Sequence, residues 1–185
     1  LYLAKDIPEG VAATYVADYE YTAKGAKMID ALNYLNANPK GTKITTNVTS
    51  VTFGLTENYA EIANTYTGVL ADQEQDGPVY AYYVPNGSNY DVYFLSENKI
   101  FLPASSKSLF SKMSALKSVT SRNLDTSRVT TMYELFYNCP KLETVDLSSW
   151  DVSQVTNMCA MFENCTALKS VTLPKGMTTI EYNLF

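Results

Sequence analysis

The chain has 185 residues, 46% of them apolar and 18% charged, with a net charge of −5. That composition describes an ordered chain of one large or two small domains, not a disordered segment. The acidic balance and the lack of a Lys/Arg cluster speak against a nucleic-acid interface built on phosphate neutralisation, and against polybasic attachment to lipid.

Residue types narrow the chemistry further. There is no His, which excludes His-dependent triads, His general bases and the usual transition-metal sites. The three cysteines, Cys139, Cys159 and Cys165, form no Cys-x-x-Cys pair. No cofactor or metal is expected. No apolar run is long enough for a transmembrane helix. Residues 1–20 lack the basic and apolar regions of a signal peptide. The first residue is Leu1, not Met, so a leader or a longer N-terminus is expected to have been removed.

In chain order, residues 1–22 take no assignment. Residues 24–37 place Met28, Ile29, Leu32 and Leu35 on one helical face, closed by "NPKG". "VTSVTFGL" reads as a strand, and the polar residues 55–77 as loop with short structure. Residues 78–102 read as a meander of two or three strands, turning at Asn86-Gly87 and Glu97-Asn98. Residues 1–100 are therefore expected to form an α+β N-terminal unit whose last strand, "KIFLP", leads into residues 101–185.

Those later residues repeat. Val129 and Val155, Met132 and Met158, Phe136 and Phe162, Cys139 and Cys165, Leu142 and Leu168, Val145 and Val171, and Leu147 and Leu173 all lie 26 apart. Counting back 26 gives Phe110, Met113, Leu116 and Val119, an atypical first copy with Met113 in the Cys position. Phe185 follows Phe162 by only 23, and the chain stops within that copy, so a piece of a longer protein is expected. "LETVDL" and "LKSVTL" alternate as strands. "TTMYELFYN" and "TNMCAMFEN" carry apolar residues at the spacing of a short helix, with Thr130 or Thr131 and Thr156 or Asn157 as N-caps. The expected core of each unit is Phe110, Leu116 and Val119; Phe136, Cys139, Leu142, Val145 and Leu147; then Phe162, Cys165, Leu168, Val171 and Leu173. The fold class expected is a solenoid of parallel strands and short helices behind the α+β unit.

From Asp125 to Leu147, and again from Asp151 to Leu173, the pattern Asp-x-Ser-x-Val-Thr-x-Met…Phe-x-x-Cys-x-x-Leu-x-x-Val-x-Leu resembles BspA-type leucine-rich-repeat surface proteins. The resemblance is specific over residues 78–185 and includes the strands leading into the repeats. It implies a leucine-rich-repeat fold in a bacterial protein that is secreted or surface-anchored, with adhesion among the family's activities.

Sharper site readings compete with plainer ones. Cys139 and Cys165 would stand in one column about 4.8 Å apart, within disulfide range, but parallel side chains favour two buried free thiols. Tyr80, Tyr82, Tyr83, Tyr90 and Tyr93 could form an exposed aromatic platform, but strand propensity favours a half-buried meander. Glu57, Glu61, Asp72, Glu74 and Asp76 lie in polar loop sequence, which speaks against a paired-carboxylate hydrolase. Asp125 and Asp151 recur at the repeat period and suit turn hydrogen bonds.

The function expected is a non-enzymatic binding or adhesion module, extracellular or at the cell surface. It would act through outward strand residues Ser118, Thr120, Thr144, Asp146, Ser170 and Thr172 on a host protein, a matrix protein or a glycan. The alternative is a spacer or stalk without its own ligand; a carboxylate-based hydrolase stands third.

Overall fold

In a computed structural model, residues 44–66, 68–72, 79–175, 177 and 183–185 are described; the helix expected over 24–37 and the unassigned residues 1–22 lie outside them. A 3-10 turn (Ile44–Asn47) leads into β1 (Val48–Phe53). Then come α1 (Tyr59–Thr65), β2 (Val69–Asp72), β3 (Val79–Asn86), β4 (Asn89–Leu95) and β5 (Ile100–Phe101). The rest carries β6 (Ser118–Ser121), β7 (Leu124–Asp125), β8 (Thr144–Asp146) and β9 (Ser170–Thr172).

The main sheet has five strands in the order β2-β3-β4-β1-β6. β3 and β4 form the expected hairpin, closed by the Asn86–Asn89 pair. Gly87 (φ 63°) supplies the positive φ that so short a loop demands. β1 then inserts parallel to both β4 and β6, with Val51 opposite Val92 and Val119. Its β-branched residues suit a central position, and Val48, Val51 and Phe53 are buried on the core face. β5 pairs with β7, and β8 with β9, both in parallel. On the other face of the main sheet, α1 packs Ile62 and Ala63 against Tyr82 and Leu95.

The expected leucine-rich-repeat solenoid of strands and short helices, behind a separate α+β unit, is corrected by this architecture. The described residues form a small mixed-sheet domain with one short α-helix and several short strands, and that helix, α1, lies outside the repeated sequence. The segments read as repeat helices are turns. In each, the backbone twice enters the left-handed region, at Ser108 and Lys112, Glu134 and Asn138, and Ala160 and Asn164. A left-handed residue breaks an α-helix. The freed N–H groups bond across to the following copy instead: Phe110 to the Leu135 carbonyl and Lys112 to Tyr137, then Phe136 to Met161 and Asn138 to Glu163, at 2.8–2.9 Å. Thr131 and Asn157 do accept the N–H two residues on, as N-caps do, but a turn follows and not a helix.

The main core runs from β1 to the C-terminal residues, and a smaller cluster lies under α1. Phe94 stacks on Phe53, which meets Phe110 edge-on, and Phe110, Phe136, Phe162 and Phe185 continue the column at 5.2–5.7 Å. The Phe136 and Phe162 rings are nearly parallel, at 4°. Burying a side chain of this size contributes about 1.5–3 kcal/mol.

Candidate functional site

The repeated sequence places two kinds of polar group on two different surfaces. On the turn side, hydroxyls are engaged in holding one copy to the next. Thr130 and Thr156 donate to the carbonyls 26 residues earlier, Ala104 and Thr130, at 3.0 and 3.1 Å. Thr126, almost fully buried, donates to the Asp151 carbonyl and accepts the Asp151 N–H. Asp125 and Asp151 each accept the N–H two residues on, at 2.9 Å, and Asp146, at the end of β8 on the sheet side, does the same. The Ser127 hydroxyl, then its N–H and Lys99, hold the Asp125 carboxyl below its ordinary range. The N–H of Ser148 and of Ser153 lead in lowering Asp146 and Asp151.

On the sheet side the arrangement differs. The N–H of Lys117 bonds to Thr49, that of Glu143 to Lys117 and that of Lys169 to Glu143, so β1, β6, β8 and β9 are aligned one after another. The alternation of strands then brings Ser118, Thr144 and Ser170 into one row, and Thr120, Asp146 and Thr172 into a second. Ser118 is half-buried and the other five are exposed. All six residues expected from the sequence to form a binding surface thus share one face.

Three residues that the repeat period missed join this face. Ser50 pairs with Ser118, Thr52 with Thr120, and Tyr93 with Thr52 on the far side. A signal was present: Ser-Val-Thr occurs at residues 50–52, 118–120 and 170–172. Asp91 closes the first row, but its carboxylate already accepts from Thr49, Ser50 and Asn86 at 2.6–3.0 Å. Burial, and then this carboxylate, push the Tyr93 hydroxyl above its ordinary range.

Of the tyrosines considered as a platform, Tyr83 and Tyr90 pack against the main core and Tyr82 is buried under α1; Tyr80 and Tyr93 are half-buried beside α1. Among the expected core residues, Phe110, Phe136, Phe162, Leu116, Leu142, Val119, Val145, Leu147, Cys139 and Cys165 are buried. Leu168, Val171 and Leu173 are half-buried and line an open apolar groove of about 540 Å³ with Phe162 and Phe185. All three cysteines are free. Glu57 and Glu61 are exposed near α1, Asp72 ends β2, and Glu74 and Asp76 lie outside the described residues. Among the described residues, no cluster of three or more Cys, Asp or Glu could hold a metal ion, and no helix is long and apolar enough to cross a membrane.

Residues 104–173, which hold β6–β9, match a family described as "Mycoplasma protein of unknown function, DUF285". No curated protein and no solved structure matches the chain. Over those residues the chain is similar to that family.

Proposed function

We propose that the chain is a non-enzymatic binding or adhesion module of a bacterial surface protein of the BspA type, acting through the outward face of β1, β6, β8 and β9. The observation that carries the reading is the pair of aligned rows running through Ser118, Thr144 and Ser170 and through Thr120, Asp146 and Thr172. Their polar side chains point away from a packed core and so offer a rigid hydrogen-bonding surface. The sequence resemblance to BspA-type proteins supports a location outside the cell, and the match of residues 104–173 to a Mycoplasma family is compatible with it. The spacer reading has its own support, the hydrogen bonds that tie successive copies together along their turns.

The test is to present the full chain to immobilised matrix proteins and glycans, alongside a Thr120→Lys/Thr144→Lys variant. Exposed substitutions on strands leave the core intact, so the variant keeps its fold, checked by thermal melting. Binding by the parent chain that the variant loses supports the module. No binding at all favours the spacer, and turnover of a bound glycan or ester overturns the non-enzymatic reading.

A further inference from the structure

Hydroxyl use separates the two surfaces. On the turn side Thr126, Thr130, Thr156 and Thr166 all donate to backbone carbonyls. On the sheet side Ser50 donates to Asp91, but none of the hydroxyls of Thr52, Ser118, Thr120, Thr144, Ser170 and Thr172 has an intramolecular partner among the described residues, although they are paired in register within β1–β6 and within β8–β9, with the Glu143 N–H to the Lys117 carbonyl joining the two pairs. Each hydroxyl can both donate and accept. The rows extend about 14 Å, three strand spacings of about 4.8 Å. The rows contain no Arg, Trp, Phe or Met, and their Ser and Thr are under-represented among the residues that anchor protein partners; Tyr93 beside them is the exception.

The charges of the face are also specific. Asp91 and Asp146 are the charged members of the rows, and neither row contains a cation. At the rim Lys169 is paired with Glu143 at 2.7 Å, and Lys117 also lies close enough to lower the Glu143 carboxyl. Nothing in the rows favours a polyanion. At the β4 end Tyr93 stands beside Thr52, half-buried and packed against the cluster under α1. An aromatic face attracts the slightly positive C–H groups of a sugar ring as it attracts other positive edges.

We propose that this face binds an uncharged oligosaccharide lying across the strands, with one sugar ring against Tyr93 and its hydroxyls on the Ser/Thr rows. The proposal rests on the binding-module reading and adds the chemistry of its ligand. Recognition is by neutral hydrogen bonds exchanged hydroxyl for hydroxyl, so sialylated and sulfated chains are disfavoured by Asp91 and Asp146.

The test is titration calorimetry of the full chain with neutral hexose and N-acetylhexosamine oligomers of increasing length, beside sialylated and sulfated chains of matched length. Affinity is expected to rise with length until the oligomer spans the rows, and the charged chains to bind more weakly. Thr120→Val/Thr144→Val removes two hydroxyls while keeping shape and strand preference, and is expected to weaken binding about tenfold without changing the melting temperature. Tyr93→Ser is expected to weaken it too, whereas Ser88→Ala at the hairpin tip leaves it unchanged. Neutral oligomers that do not bind, bind more weakly than charged ones, or bind the valine variant equally well overturn the proposal. If instead a protein ligand binds the parent chain and not the Thr120→Lys/Thr144→Lys variant, the glycan inference falls while the binding module stands.

Discussion

The Cys139 thiol donates to the Phe110 carbonyl at 3.0 Å, and 26 residues later Cys165 does the same to Phe136 at 3.1 Å. Each cysteine is small enough to sit behind a stacked ring and still supplies a donor to the layer beneath. Met113 takes the corresponding place in the first copy and is itself buried. Burial pushes the Cys139 thiol up to about 12 and raises Cys165 as well. Thiolate is the reactive form, so both should be inert in the folded chain. With iodoacetamide at pH 8, half-buried Cys159 is expected to react first, and all three cysteines only after denaturation. Rapid labelling of Cys139 in the folded protein would contradict the enclosure seen here.

The ring column predicts an order of stabilities. Phe136 is fully buried between Phe110 and Phe162. Phe162 is covered on its outer side by Phe185, which is 65% exposed. Phe136→Ala is expected to cost about 3–5 kcal/mol, because the rings above and below cannot close over the cavity. Phe162→Ala should cost less, since Phe185 can settle inward, and Thr144→Ala least of all. Urea midpoints of the three variants check the order; equal small effects would show that the column carries no stability.

Two glycines with positive φ should respond differently to alanine. At Gly54 (φ 87°) an added Cβ would lie 2.1 Å from the Arg122 carbonyl oxygen, in backbone that locks β1 to the end of β6. At Gly87 (φ 63°) it would meet nothing within 4 Å. Gly87→Ala is expected to cost about 1–2 kcal/mol, the penalty of the left-handed conformation alone. Gly54→Ala carries that penalty plus a backbone clash, so it should be the more damaging by calorimetric melting.

The aspartates that accept the N–H two residues on predict acid sensitivity. Asp125, Asp146 and Asp151 have folded pKa values below their ordinary 3.8. Depressed carboxyls contribute stability that is fully present above the unfolded value and is lost as pH falls through the folded one. Stability should therefore hold from neutral pH down toward 4 and decline below it. Asp125→Asn/Asp151→Asn keeps an acceptor for the turn N–H but does not titrate there. Its urea midpoint is expected to fall less than the parent's between pH 7 and pH 3.

Much of the contact pattern was legible because like residues recur at a constant offset. Val145 does face Val171, and Phe136 does lie on Phe162. The hairpin at Asn86-Gly87 was equally legible, since its glycine requirement is local. The short helices were misread for a definite reason: apolar spacing of three and four also suits a turn whose alternate side chains face the core. Asn138 and Asn164 carried a faint warning, because Asn tolerates left-handed backbone, but Glu134 and Ala160 carried none.

By itself the sequence determined which side chains share a column and which hydroxyls share a row, because both follow from its 26-residue period and strand alternation. Only the tertiary structure decided that β1 lies between β4 and β6, and that Ser50, Thr52 and Tyr93 extend the candidate face. Parallel pairing joins residues far apart in the chain, and no local preference specifies the partner. The turns were decided the same way: their N–H groups found acceptors in the next copy, and that non-local hydrogen bonding outweighed the helical bias of the segment.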